Sequence, residues 1–194
     1  LTLDNTNVAC FTAGSLIDTS DGPVAVERLR SGMRLRTWDN GARPVRAVLR
    51  RTVDGSGALA PVHISASALD NTRDLVVSPA HRMLISDWRA QMLFGAEEVL
   101  VGAANLVRGD LIYRTPMPHV TYYHILMDSH EIIFAEGAPT ESFHPGKQAL
   151  SSTSPDMRAE ILELFPELAA ATNDRQTART VLRPREAKAL MTYA

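Results

Sequence analysis

Between residues 10 and about 146 the chain never runs far without a turn signal, and that spacing limits what it can fold into. Asp21-Gly22-Pro23, Asp39-Asn40-Gly41 and Asp54-Gly55-Ser56-Gly57 each interrupt a short run of apolar or β-branched residues. Asn-Gly in such a setting is a strong hairpin signal. Helices of ordinary length do not fit between these breaks, whereas strands of roughly four to eight residues do. The runs lie at 11–19, 33–38, 44–53, 62–66, 75–77, 83–86, 98–102, 111–114, 120–127 and 131–135. Many short strands at this spacing predict an all-β architecture.

A faint repeat runs through the same region. Leu29-Arg30-Ser31-Gly32 and Leu106-Val107-Arg108-Gly109 each precede a short apolar strand, at an offset of 77. At that offset 45–51 falls on 122–128, strand on strand. A duplicated β subdomain produces this pattern, and so does chance, because L-x-x-G is short. After Gly146 the periodicity becomes helical. Ser154-Pro155 fits an N-cap followed by proline at the first helical position. Met157, Ile161, Leu164, Phe165 and Leu168 then share one face, interrupted by Pro166. A second helix is expected after Pro184, from Arg185 to Met191.

Bulk composition excludes several classes. The 194 residues are 45% hydrophobic, enough for one sizeable core or two small ones, and carry a net charge of −2. That balance gives no electrostatic footprint for nucleic acid or an anionic membrane surface. No run approaches the roughly 18 apolar residues of a membrane-spanning helix. The opening LTLDNTNVA has neither a basic region nor an apolar stretch, so it does not read as a signal peptide but as part of something longer. The single cysteine, Cys10, excludes an intramolecular disulfide.

Cys10 is also the candidate nucleophile. Cys-Phe-Thr-Ala-Gly-Ser (Cys10 to Ser15), then Gly22-Pro23-Val24 and Val26-Glu27-x-Leu29-x-x-Gly32, resembles the start of Hint domains. These are the modules shared by inteins, bacterial intein-like proteins and the C-terminal half of Hedgehog precursors. Ser78-Pro79-Ala80-His81 is similar to their second motif, usually Thr-x-x-His. Tyr123-His124-Ile125-Leu126, His130-Glu131, Ala135-Glu136-Gly137 and Glu141-Ser142-Phe143 resemble the last block. The parts stand in family order over residues 10 to 150, closest in pattern to the bacterial intein-like branch, which is found in large secreted-type polypeptides.

The resemblance implies a horseshoe-shaped, pseudo-twofold all-β fold, here with a helical C-terminal extension. It divides the chain into a flanking, extein-like segment at 1–9, a self-processing domain at 10–150 and a helical extension at 151–194 packed on the core. It makes Cys10 the residue that attacks the carbonyl of Ala9, turning the Ala9–Cys10 amide into a thioester. An amide nitrogen leaves poorly unless protonated, so such a site must supply a proton and polarise the bond. The resemblance gives the first task to His81, with Ser78 holding the scissile amide or orienting His81. His124 stands where many inteins have an aspartate and is a candidate acid or base; His130, Glu131, Glu141 and Ser142 are candidates for supporting roles. Taken alone, His81 and His124 read more readily as satisfied core residues than as catalytic ones.

Splicing inteins end in His-Asn. The corresponding positions here are Glu141 and Ser142, and no asparagine lies between Asn105 and Asn173. The expected outcome is N-terminal autocleavage, with water or another small nucleophile resolving the thioester and the chain's own flanking polypeptide as substrate. A sterol-activating aspartate has no convincing counterpart, Asp54 being the only candidate. His130-Glu131 does not continue to a second histidine four residues on, so no zincin-type metal site is expected, and no cofactor is called for. Two other readings stay open: an inert Hint fold serving as a structural or binding module, and a cysteine hydrolase acting in trans through Cys10 and His81. The fold expectation is checked by the far-UV circular dichroism of the isolated chain, which should be that of a β protein with a minor helical part. A helix-dominated spectrum would exclude it.

Overall fold

The structure is a computed structural model that describes residues 9–143, 155–164 and 177–192. Within them the chain forms β1 (Phe11–Thr12), β2 (Leu16–Thr19), β3 (Gly22–Ala25), β4 (Arg34–Thr37), β5 (Gly41–Pro44), β6 (Ala47–Gly55), β7 (Val62–Ile64), β8 (Leu75–Val77) and β9 (Arg82–Ser86). There follow α1 (Trp88–Phe94), β10 (Glu98–Gly102), β11 (Ile112–Arg114), β12 (Met117–Leu126), β13 (Ile132–Ala135) and β14 (Ala138–Glu141). The last described elements are α2 (Pro155–Leu164), β15 (Thr180–Val181) and α3 (Pro184–Thr192). The all-β expectation holds, with helices in a minority.

The strands build two sheets. One has six strands in the order β11-β7-β8-β1-β12-β6. The other has nine, following β15-β10-β9-β14-β13-β2-β4-β5 with β3 paired to β2. The run at 11–19, expected as one strand, divides between them. Gly14 adopts φ +86, a left-handed conformation that glycine reaches without a Cβ clash, and the chain turns there from β1 in the first sheet to β2 in the second. Helix α1, absent from the sequence reading, starts at the N-cap Asp87, whose side chain accepts the Arg89 amide, and stops at Gly95 in a left-handed C-cap.

The repeat at offset 77 is structural. Val26–Arg28 and Ala103–Asn105 both form single 3₁₀ turns, preceded by residues with nearly the same backbone angles (Ala25 φ −60, ψ 136; Gly102 φ −60, ψ 134). Leu29 and Leu106 follow and are both buried, and Gly32 and Gly109 both take positive φ. The two long strands β6 and β12 pair antiparallel, and their register sets Val48 against Ile125. Those two residues are counterparts at offset 77, so a local twofold axis passes between them.

Phe11, Ile17, Leu35, Ile64, Leu75 and Ile125, drawn from both sheets, meet in the main core. Helix α3 lays Ala187 and Leu190 onto it, and β15 pairs parallel with β10. Helix α2 begins at Pro155, and its Ile161 is buried in a second cluster with Cys10, Leu49, Tyr122, Leu126 and Phe143. The expected N-cap Ser154, the residues Phe165, Pro166 and Leu168, the flanking 1–8 and the side chains of Met157 and Leu164 lie outside what is described.

Phe11 is 1% exposed and holds the middle of the six-stranded sheet. Phe11→Ala should therefore destabilise the domain by roughly 3–5 kcal/mol, the usual loss for a buried phenylalanine. A urea titration measures this, and a shift under 1 kcal/mol would place Phe11 outside the core.

Candidate functional site

Cys10 enters β1, and β1 lies between two partners whose registers fix what faces it. Phe11 pairs with Val77 of β8 and with Tyr123 of β12, both antiparallel. One residue back along β1 is one residue forward along each partner, so Cys10 falls between Ser78 and His124. Three residues far apart in sequence thus form a row across three strands.

The contacts follow from that row. The Cys10 amide donates to Ser78 Oγ at 3.1 Å, and the Ser78 amide returns a bond to the Cys10 carbonyl at 2.9 Å. The Ser78 hydroxyl also bonds the Cys10 thiol. On the other side His124 Nδ1 lies 3.0 Å from the Ala9 carbonyl oxygen and 3.4 Å from Cys10 Sγ, with Nε2 at 3.8 Å from the sulfur. A carbonyl only accepts, so neutral His124 carries its proton on Nδ1 and leaves Nε2 bare towards the thiol. Phe143 packs edge-on against the His124 ring, centroids 5.5 Å apart.

His81 follows a tight turn closed by its amide on the Ser78 carbonyl, 3.1 Å. Its ring stands edge-on to Phe11 at 4.4 Å and its Nε2 meets Thr140 Oγ1 on β14. Nothing in the sequence reading singled out Thr140, since threonine in a strand reads as an ordinary β-former.

The remaining candidates form two networks beside this row. Glu141 Oε1 accepts the Arg82 amide at 2.9 Å, and Oε2 takes the Arg82 guanidinium and His130 Nε2, both at 3.1 Å. His130 Nδ1 accepts the Ala178 amide just before β15, at 2.9 Å. Glu131 accepts Asn40 Nδ2 and the Ser129 hydroxyl, while its amide donates to Ser142 Oγ. The structure therefore brings Ala9, Cys10, Ser78 and His124 together, sets His81 against Phe11 next door, and engages His130, Glu131, Glu141 and Ser142 in bonds that tie strands together. Among the described residues no group of three or more His, Cys, Asp or Glu side chains is placed to hold a metal ion. No described helix is long and apolar enough to cross a membrane.

Burial dominates the electrostatics. It pushes the Cys10 thiol far above its ordinary range, with the Ser78 hydrogen bond pulling the other way. It lowers His81 to about 4 and His124 to about 4, the latter against the Ala9 hydrogen bond, so both rings are neutral at pH 7. Glu141 is the opposite case. Burial alone would raise it, but the His130 hydrogen bond and the Arg82 charge hold it below the usual carboxylate range.

A buried histidine on Cys10 and the carbonyl before it, a second buried histidine against Phe11, and a two-sheet fold with an internal twofold make up an intein-like domain. The match to known families agrees: residues 9–147 match the Hint domain, and the chain belongs to that family. Among solved structures it is similar to the TvoVMA intein, at 12% identity and a TM-score of 0.51, over 69% of this chain and 96% of that one. It is also similar to the bacterial intein-like domain of Clostridium thermocellum, at 16% identity and a TM-score of 0.46, over 68% and 96%. At these identities the likeness is one of fold. No curated protein matches the chain.

The neutral histidines make stability depend on pH in a fixed direction. An unfolded histidine takes up its proton near 6.5, whereas the folded His81 and His124 resist until about 4. Their contribution is intact above pH 6.5 and is lost as the pH falls towards 4, at about 3 kcal/mol for each ring. Glu141, depressed below its ordinary 4.5, adds its loss only at lower pH. Denaturant unfolding of Cys10→Ala protein between pH 8 and pH 4 should record that fall. A flat profile would mean that the folded rings take up their protons over the same pH range as the unfolded ones.

Proposed function

We propose that this domain cuts itself from the polypeptide preceding Cys10 by an N–S acyl shift, with no splicing. Cys10 Sγ attacks the Ala9 carbonyl carbon, the S–C bond forms and the C–N bond to Cys10 breaks. The thiol proton ends on the Cys10 nitrogen, which becomes an amine. His124 donates to the Ala9 oxygen and stabilises the charge that develops there. Ser78 touches both the thiol and the amide nitrogen, between which the proton travels. His81, neutral and buried beside Phe11, takes the proton and returns it to the leaving nitrogen. Water or another small nucleophile then resolves the thioester, giving the N-terminal fragment as an acid or an adduct.

One observation carries this reading: a single histidine nitrogen, His124 Nδ1, lies within 3.0 Å of the carbonyl to be attacked and 3.4 Å of the attacking sulfur. The absence of splicing rests on Glu141 and Ser142, which stand where splicing inteins have His-Asn and are bonded to Arg82, His130 and Glu131.

Incubating purified precursor with a thiol or hydroxylamine and weighing the N-terminal fragment tests the proposal. Cys10→Ala should abolish cleavage, Cys10→Ser should retain only a slow N–O shift, and His81→Ala should slow thioester formation by roughly two to four orders of magnitude while leaving the fold intact. Cleavage at the native rate in Cys10→Ala refutes the mechanism. No fragment under any condition leaves an inert Hint fold.

A further inference from the structure

His81 is fully buried, and its Nδ1 has no hydrogen-bond partner among the described residues. Buried polar nitrogens are nearly always paired, so this one calls for an explanation. It comes from the other side of the ring. The Thr140 hydroxyl has one proton, and that proton goes to the Arg82 carbonyl at 3.0 Å. Towards His81 the same oxygen is left as an acceptor, so Nε2, 2.5 Å away, must be the N–H. A neutral imidazole with Nε2 protonated has a bare Nδ1.

We propose that Thr140 is a positioning residue of the acyl shift, whose hydroxyl locks His81 as the Nε2–H tautomer and so keeps Nδ1 free to take and return the travelling proton. The inference rests on the acyl-shift reading above. With the opposite tautomer the ring would present a proton where the relay needs a lone pair. The proton is conserved throughout: it leaves the thiol, is held on Nδ1 when the ring meets Cys10 in the reacting geometry, and ends on the Cys10 nitrogen.

The lock is rigid because it belongs to a sheet. Thr140 is fully buried on β14, opposite Met83 of β9 and Ile133 of β13. Its β-branched side chain has few rotamers. Glu141, the next residue, holds the Arg82 amide and guanidinium. Two successive residues of β14 thereby clamp His81 and its successor, and the carbonyl that orients the Thr140 hydroxyl belongs to the clamped pair. His124, with the reverse tautomer imposed by the Ala9 carbonyl, is set in the same manner by an acceptor that cannot donate.

The test has two arms on the full chain. In uncleavable Cys10→Ala protein labelled with ¹⁵N-histidine, the His81 ring should give the nitrogen shifts of the Nε2–H tautomer. Adding Thr140→Val should produce a mixture of tautomers, and Thr140→Ser should restore the single form. In the cleavable chain, Thr140→Val should slow thiol-induced cleavage by roughly 10- to 100-fold, and Thr140→Ser should recover most of the rate. An Nδ1–H signal for His81 in the Cys10→Ala background overturns the lock even if the valine variant does not fold. A folded Thr140→Val protein that cleaves at the native rate overturns Thr140 alone and leaves the acyl shift standing. A native chain that forms no thioester removes the acyl shift, and the positioning role falls with it.

Discussion

The pairing of β1 with β8 and β12 is the constraint on which the site depends. β1 has only two residues, and its hydrogen bonds alone are too few to hold it. It is fixed because Phe11 fills the core while both neighbours run antiparallel past it. Side chains alternate along a strand, so a slip of one residue would send Phe11 to the opposite face and remove Cys10 from both Ser78 and His124. The same register that buries Phe11 places Cys10, and stability and site geometry are one choice.

Burial gives that geometry its electrostatic character. A thiol on the surface titrates freely; Cys10, enclosed by Leu49, Tyr122, Leu126, Phe143 and Ile161, is held protonated. His124 beside it and His81 next to Phe11 are held neutral for the same reason, and His124 has its proton fixed by the Ala9 carbonyl, which can only accept. The rings are therefore two oriented donor–acceptor pairs and not two charges. Beside the row, the Glu141 carboxylate pairs with the Arg82 guanidinium and accepts from His130.

Much of the fold was legible because its punctuation is local. The clusters around Gly22 and Gly41 mark the turns between paired strands, and Leu29 to Gly32 against Leu106 to Gly109 hinted at the duplication. What was not legible is tertiary. Nothing in Phe11 to Thr19 says that its halves enter different sheets, beyond the glycine at 14. Asp87 and Gly95 are ordinary helix caps, yet seven residues between them are too few for periodicity to register. In the site, the motifs pointed to Cys10, Ser78, His81 and His124, but the row that joins Cys10, Ser78 and His124 exists only through strand register. Thr140 left no trace because its hydroxyl matters for what it meets. His130 and Glu141 are a buried hydrogen-bonded pair that also reaches Arg82 and Ala178, partners that sequence alone does not disclose.

The separation of the row's members along the chain has a consequence in time. Ser78 lies 68 residues beyond Cys10, and His124 lies 114 beyond it. A chain growing from a ribosome presents Cys10 early, when its thiol has neither a hydroxyl nor an imidazole beside it. Only when β12 has been synthesised and has docked against β1 do the three residues stand in line. Until the last-made part of the row arrives, the peptide bond before Cys10 has none of these neighbours, and synthesis itself sets when the row is complete.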